Sequence, residues 1–195
     1  MTLVADLRLR FGAARLPARV YLPSPSSAPD GLTPLVLWLA GGNAGDAFPR
    51  EISAIAAAVV LELAPCESVS GDADDAALGW AAEHGRELGG RSDRILVAGQ
   101  LAGAARAARL AVSARDRGWP VVRRQVLVRP AFSGPCPAPA EVAGTAPATI
   151  VTTGSRRDHG RRYAAALRDA GVAVQEFVSD ARRALPLHEI ARAVR

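Results

Sequence analysis

The chain has 195 residues, 49% of them hydrophobic and 22% charged, which fits a globular domain with a sizeable core and excludes a disordered chain. No run reaches the ~20 apolar residues of a membrane span, and Met1-Thr-Leu-Val-Ala-Asp6 lacks the basic start and apolar core of a secretion signal, so a cytoplasmic protein is expected. The net charge of +5 comes entirely from arginines spread among Ala, Gly and acidic residues, with nine Phe, Trp and Tyr in all, so a nucleic-acid stripe is not expected.

Residues 3–10 and 16–22 alternate or run apolar around Gly12 and predict an antiparallel hairpin. Residues 23–33 are rich in turn formers and predict a surface loop. The run Pro34-Leu-Val-Leu-Trp-Leu39 predicts a strand buried on both faces, ending in Ala40-Gly41-Gly42-Asn43. A small-residue helix over about 49–58 leads to a strand at 59–63. Ala76, Leu78, Trp80, Ala81 and Leu88 have helical spacing and predict a helix over 72–88 that stops at Gly89-Gly90. A strand at 94–98 and a helix at about 102–117 follow, then a strand at 126–128, a loop over 131–147, a strand at 149–152, a helix at 158–170 and a strand at 172–178. A helix over 182–195 closes the chain, with Pro186 in its first turn. Strands alternating with helices every ~25–35 residues predict a mostly parallel sheet with helices on both faces. With no internal repeat visible, residues 1–195 read as a single α/β domain.

Residues 94–103 read Arg94-Ile-Leu-Val-Ala-Gly99-Gln100-Leu101-Ala102-Gly103. A buried strand thus runs into G-x-x-x-G and then a helix. Such a sharp turn lifts its central residue above the sheet, where a serine could attack a carbonyl. The central residue is Leu101, and a hydrocarbon cannot attack. Cys66 and Cys136 lack metal-ligand spacing, and His84, His159 and His188 lie in unrelated contexts, so neither a metal nor a cofactor is expected.

From about residue 34 to 195 the chain resembles the hormone-sensitive-lipase-like branch of the α/β-hydrolases. Pro34–Gly42 is similar to that family's strand and His-Gly-Gly-Gly oxyanion loop, and Leu63-Ala64-Pro65 to its Arg-Leu-Ala-Pro-Glu segment. Trp80-Ala-Ala-Glu-His84, Glu87-Leu-Gly-Gly90 and Asp93-Arg-Ile95 follow its approach to the nucleophile elbow. Tyr163-Ala-Ala-Ala-Leu-Arg-Asp-Ala-Gly171-Val172 matches its late helix and last strand. The resemblance implies an α/β-hydrolase-like fold with an N-terminal antiparallel hairpin and with the cap and lid largely missing.

The departures fall on the chemistry, because acyl transfer needs a nucleophile, a base and an orienting acid. By the resemblance, Leu101 stands at the nucleophile position and Ala184 at the base position, and the acid's segment is shortened to Gly154-Ser155-Arg156-Arg157-Asp158-His159-Gly160, in which Asp158 fits the family's second acidic position and the triad acid is deleted. No catalytic residue is assigned; Asp158 and His159 are the weak candidates, and His188 is the only late histidine. Ordinary serine esterase activity is expected to be lost. Gly41, Gly42, Asn43, Gln100, Leu101, Ala102 and Ser155 are the ligand-binding candidates. Their glycines serve either as backbone oxyanion donors or only to permit tight strand-to-helix packing. Three functions stay open: a degenerate homologue that binds a small molecule or a protein, a repurposed cyclase, lyase or isomerase, and a hydrolase with its nucleophile moved to Ser155 or Cys66. The expected partners are a small-molecule ligand and either a second copy of the chain or a related protein.

Overall fold

The computed structural model describes residues 2–11, 14–24, 32–42, 47–65, 71–153, 157–179 and 186–194. Among the described residues there are eight strands: β1 (Leu3–Phe11), β2 (Ala14–Leu22), β3 (Thr33–Leu39), β4 (Val59–Leu63), β5 (Gly90–Gln100), β6 (Val122–Val128), β7 (Ala148–Thr153) and β8 (Val174–Ser179). They form one sheet in the order β1-β2-β4-β3-β5-β6-β7-β8. The β1–β2 and β2–β4 pairings are antiparallel and every other pairing is parallel. The expected α/β-hydrolase-like sheet with its N-terminal hairpin is therefore present.

Helices α1 (Ala47–Ala56) and α6 (Leu187–Val194) lie on one face, and α2 (Asp72–His84), α3 (Ala102–Arg117) and α5 (Arg157–Asp169) on the other. Strand alternation builds the two cores. Leu35, Leu37 and Leu39 of β3 pack with Ile95, Val97 and Leu127 under α2, α3 and α5. Val36 and Trp38 turn the other way and pack with Val60, Leu96 and Val126 under α1 and α6. This two-sided burial explains the nearly continuous apolar runs of the central strands. No described helix is long and apolar enough to cross a membrane.

Several boundaries differ from the sequence expectation. The predicted helix over 72–88 is α-helical only to His84, and Gly85–Leu88 tighten into a 3-10 turn. A side chain on Gly85 would strike Leu35, so the chain narrows where it crosses the core, and Gly89 at φ 79 ends it. Strand β5 starts at Gly90 rather than 94, because Gly90 pairs with Thr33 before the apolar residues begin. Strand β6 starts at Val122, and β8 only at Val174. The predicted loop 131–147 holds a four-residue helix, α4 (Pro139–Val142). The predicted helix 182–195 is seen over Leu187–Val194, with Pro186 just before it; residues 182–185 and 195 lie outside the described residues.

Tyr163 anchors α5 to the sheet. It is fully buried, and its hydroxyl donates to Gln125 Oε1 at 3.1 Å. Burial pushes its phenol well above the ordinary value, while the bond to Gln125 works the other way. Tyr21, also buried, is raised first by burial and then by its hydrogen bond to Glu62. An unfolded chain releases these protons near pH ~10, and the folded chain only at higher pH. Their stabilising contribution is thus complete below about pH 10 and fades as pH climbs through the folded-state values. Urea unfolding midpoints should fall above about pH 10 in the wild type, and less steeply in Tyr163→Phe.

Candidate functional site

Strand β5 ends at Gln100, and Leu101 turns the chain into α3 with φ 55 and ψ −120. A non-glycine residue held at positive φ stores ~1–3 kcal/mol unless its surroundings fix it. Here they do. Leu101 N–H donates to Val128 O at 3.0 Å, and Leu101 O accepts from Ala104 N–H at 3.1 Å and from Ala131 N–H at 3.1 Å. The turn is therefore tied to the end of β6 on both sides.

Three glycines let the layers close around this turn. A methyl on Gly99 would strike Gly103, one on Gly103 would strike Leu39 O, and one on Gly41 would strike Gln100 O and come within 2.7 Å of Gly103 N. Tight packing thus accounts for Gly41, Gly99 and Gly103. Gly42 differs: a Cβ there would meet nothing within 4 Å among the described residues, and its φ of +107 suits glycine. The first N–H groups of a helix have no intrahelical acceptor, so Ala102 N–H, like the helix dipole, is directed out of the N-terminus of α3. Gln100 is 8% exposed and Leu101 half-buried. Gly41, Gly42, Gln100, Leu101 and Ala102 therefore meet at the carboxyl end of β3 and β5. The candidates Asn43, Cys66, Ser155 and Ala184 lie outside the described residues.

The loop after β3 is fastened by residues that the sequence reading missed. Ala40 N–H donates to Leu63 O at 3.1 Å, and Ala40 O accepts from Arg106 Nη1 at 3.0 Å. Arg106, on α3, also donates through Nε and Nη2 to both carboxylate oxygens of Asp74 on α2. Arg109 Nη2 adds a third contact to Asp74 at 3.3 Å. Asp74 is 4% exposed, so α2 and α3 are joined through a buried carboxylate beside the loop. Its only sequence signal was an acidic first helical turn, Asp72-Ala-Asp-Asp75, which reads equally well as a response to the helix dipole.

The histidines are engaged or remote. His159 Nδ1 accepts from Phe132 N–H at 3.1 Å, and its ring stacks on Phe132 with centroids 6.5 Å apart. His159 thereby ties α5 to the segment after β6, with its proton on Nε2, while the neighbouring Asp158 is exposed. His84 faces Glu87 at 3.2 Å, and His188 is exposed on α6. Arg129, which follows β6 and flanks the Leu101 turn, has φ 48, and its Nε is buried without a hydrogen-bond partner among the described residues. Beside α3, Ala105, Ala108, Val112, Phe132, Cys136 and Tyr163 line a cavity of about 360 Å³. Burial raises the Cys136 thiol pKa. Among the described residues, no group of three or more His, Cys, Asp or Glu could hold a metal ion.

A family model described as alpha/beta hydrolase fold matches residues 42–141. Esterase LipI of Mycobacterium tuberculosis is 35% identical over 140 residues, covering 65% of this chain and 43% of that protein. Carboxylesterase NlhH of Mycobacterium tuberculosis is 36% identical over 131 residues, covering 61% of this chain and 40% of its own. The chain thus spans only about two fifths of these relatives. A thermostable esterase from Pseudomonas putida superposes with a TM-score of 0.83 at 19% identity, over 99% of this chain and 81% of that one. An esterase from Pyrobaculum calidifontis gives 0.82 at 22% identity, over 98% and 85%. At those identities the superpositions speak for the fold.

Proposed function

Because the chain belongs to the alpha/beta hydrolase fold family, we propose that it retains the family's turn and loop as a binding frame without serine ester hydrolysis. Its ligand is a small molecule bearing a carbonyl or carboxylate. The observation that carries this reading is Leu101, which holds φ 55 and ψ −120 although its side chain has no atom that can attack. Strain of this kind is tolerated at functional turns, and here the geometry outlasts the hydroxyl it would serve. Backbone N–H groups near Gly41, Gly42 and Ala102 then act as an oxyanion-type cradle, and the start of α3 adds a positive dipole end. The relatives are named as esterases, which favours a ligand of the ester or carboxylate class. A lyase or isomerase reading needs a free base at the turn, and the Nδ1 lone pair of His159 is already taken by Phe132 N–H.

Short-chain aryl esters test the reading. The purified protein should turn over p-nitrophenyl acetate and butyrate no faster than serum albumin. Leu101→Ser should not raise that rate, because a hydroxyl without a base is an ordinary alcohol. Saturating butyrate should raise the melting temperature, and Gly42→Val, which puts bulk into the open space at Gly42, should cancel the rise. Ester turnover above albumin that Gly42→Val abolishes would overturn the proposal.

A further inference from the structure

At the opposite end of the sheet from Leu101, a cavity of about 420 Å³ opens under the last turn of α6. Arg91 and Arg94 reach it from the first half of β5, Arg123 and Arg124 from the start of β6, and Arg192 from α6. Leu96 is part of its apolar lining, and among the described residues that line it none is Asp or Glu. Arg124 is held in place by a 3.2 Å bond from its Nη1 to Thr149 Oγ1. Asp93 lies 3.8 Å from Arg94 Nε, but both side chains are more than half exposed, so this pair neutralises little. Five of the chain's 24 arginines line this one hollow. Along the sequence the arginines look evenly spread; the fold brings these five together from three elements.

We propose that this hollow binds a diphosphate group, either inorganic pyrophosphate or the tail of a nucleoside diphosphate. Guanidinium groups bind phosphate oxygens in pairs through their planar fork, and several converging on one point suit a compact, multiply charged anion. The volume falls within the ~300–1,000 Å³ range of small-molecule sites. A concave cup, rather than a stripe along a surface, does not suit a nucleic-acid backbone. The carboxyl end of α6 puts a partial negative charge at the rim, which Arg192 in that last turn offsets. The site lies about 20 Å from Gln100 along β5, at ~3.3 Å per residue, so it is separate from the cradle at Leu101.

Isothermal titration of the full chain at fixed ionic strength tests this. Pyrophosphate should bind one to one and at least tenfold more tightly than orthophosphate. Arg94→Gln/Arg123→Gln, two exposed positions whose loss should spare the fold, should weaken it at least tenfold. Arg50→Gln/Arg86→Gln removes the same charge elsewhere and should leave the affinity within twofold, with circular dichroism checking that both variants fold. ADP binding more tightly than pyrophosphate identifies a nucleotide as the source; the reverse identifies the inorganic anion. No binding of either at millimolar concentration overturns the proposal. Equal weakening by the two double variants does so too, as does duplex DNA binding more tightly than both ligands.

Discussion

Gly103→Ala is expected to cost at least about 3 kcal/mol, lowering the melting temperature by about 6–12 °C or preventing folding. The new methyl would meet Leu39 O and come within 3.0 Å of the Ala40 carbonyl carbon, backbone atoms at the end of β3 and the start of the loop after it. Backbone cannot swing aside as a side chain can. Relief requires α3 to move away from β3, which would break Leu101 N–H to Val128 O and loosen the contact of Gly41 with Gln100 O. Gly41→Ala is expected to behave similarly. Gly42→Ala is the contrast: its Cβ meets nothing within 4 Å, and the penalty is limited to about 1–2 kcal/mol for a side chain at φ +107. Thermal melts of the three variants therefore separate the glycines that close the layers from the one whose conformation shapes the rim. A Gly103→Ala protein that melts within 2 °C of wild type would refute this account of the turn.

How much of this could be read from the chain depends on how local each constraint is. Pro34–Leu39 announced a doubly buried strand because both of its faces lie against apolar layers. Gly99 and Gly103 announced a sharp turn because close backbone approach removes side chains at fixed spacing. The starts of β5 and β6 were hidden, since Arg91, Ser92, Arg123 and Arg124 belong to these strands while presenting polar side chains. Leu88 extended the apparent helical period past His84, although Gly85 had already tightened the chain. The candidate site's backbone geometry was legible at Gly41, Gly42 and Leu101. The candidate site was not legible where it depends on distant partners. Asp74 and Arg106 lie 32 residues apart, and the five cavity arginines come from three elements. Arg129 precedes a proline, a position that ordinarily favours extended backbone, so its φ of 48 could not be anticipated.

Asp74→Ala should destabilise the protein by about 3–5 kcal/mol, as the loss of one partner from a buried ion pair does. Asp74 is 4% exposed and the Arg106 side chain 16%, so removing the carboxylate leaves a guanidinium charge largely shielded from water with Ala40 O as its remaining acceptor. Arg109 is 56% exposed, and it can turn to solvent at little cost. Asp74→Asn keeps the shape and one acceptor oxygen, so its cost should be smaller, about 1–3 kcal/mol. Replacing both partners, Asp74→Leu with Arg106→Met, removes the stranded charge, and the double variant should be more stable than Asp74→Ala. Stability alone would not connect this network to the proposed cradle. Arg106 also grips the carbonyl just before Gly41, so Arg106→Met should weaken butyrate binding even where the melting temperature is restored by the Asp74→Leu partner. If the double variant binds butyrate as the wild type does, the Asp74–Arg106 pair only joins α2 to α3, and the loop owes its position to Gly41 packing on Gln100 and to Ala40 N–H on Leu63 O.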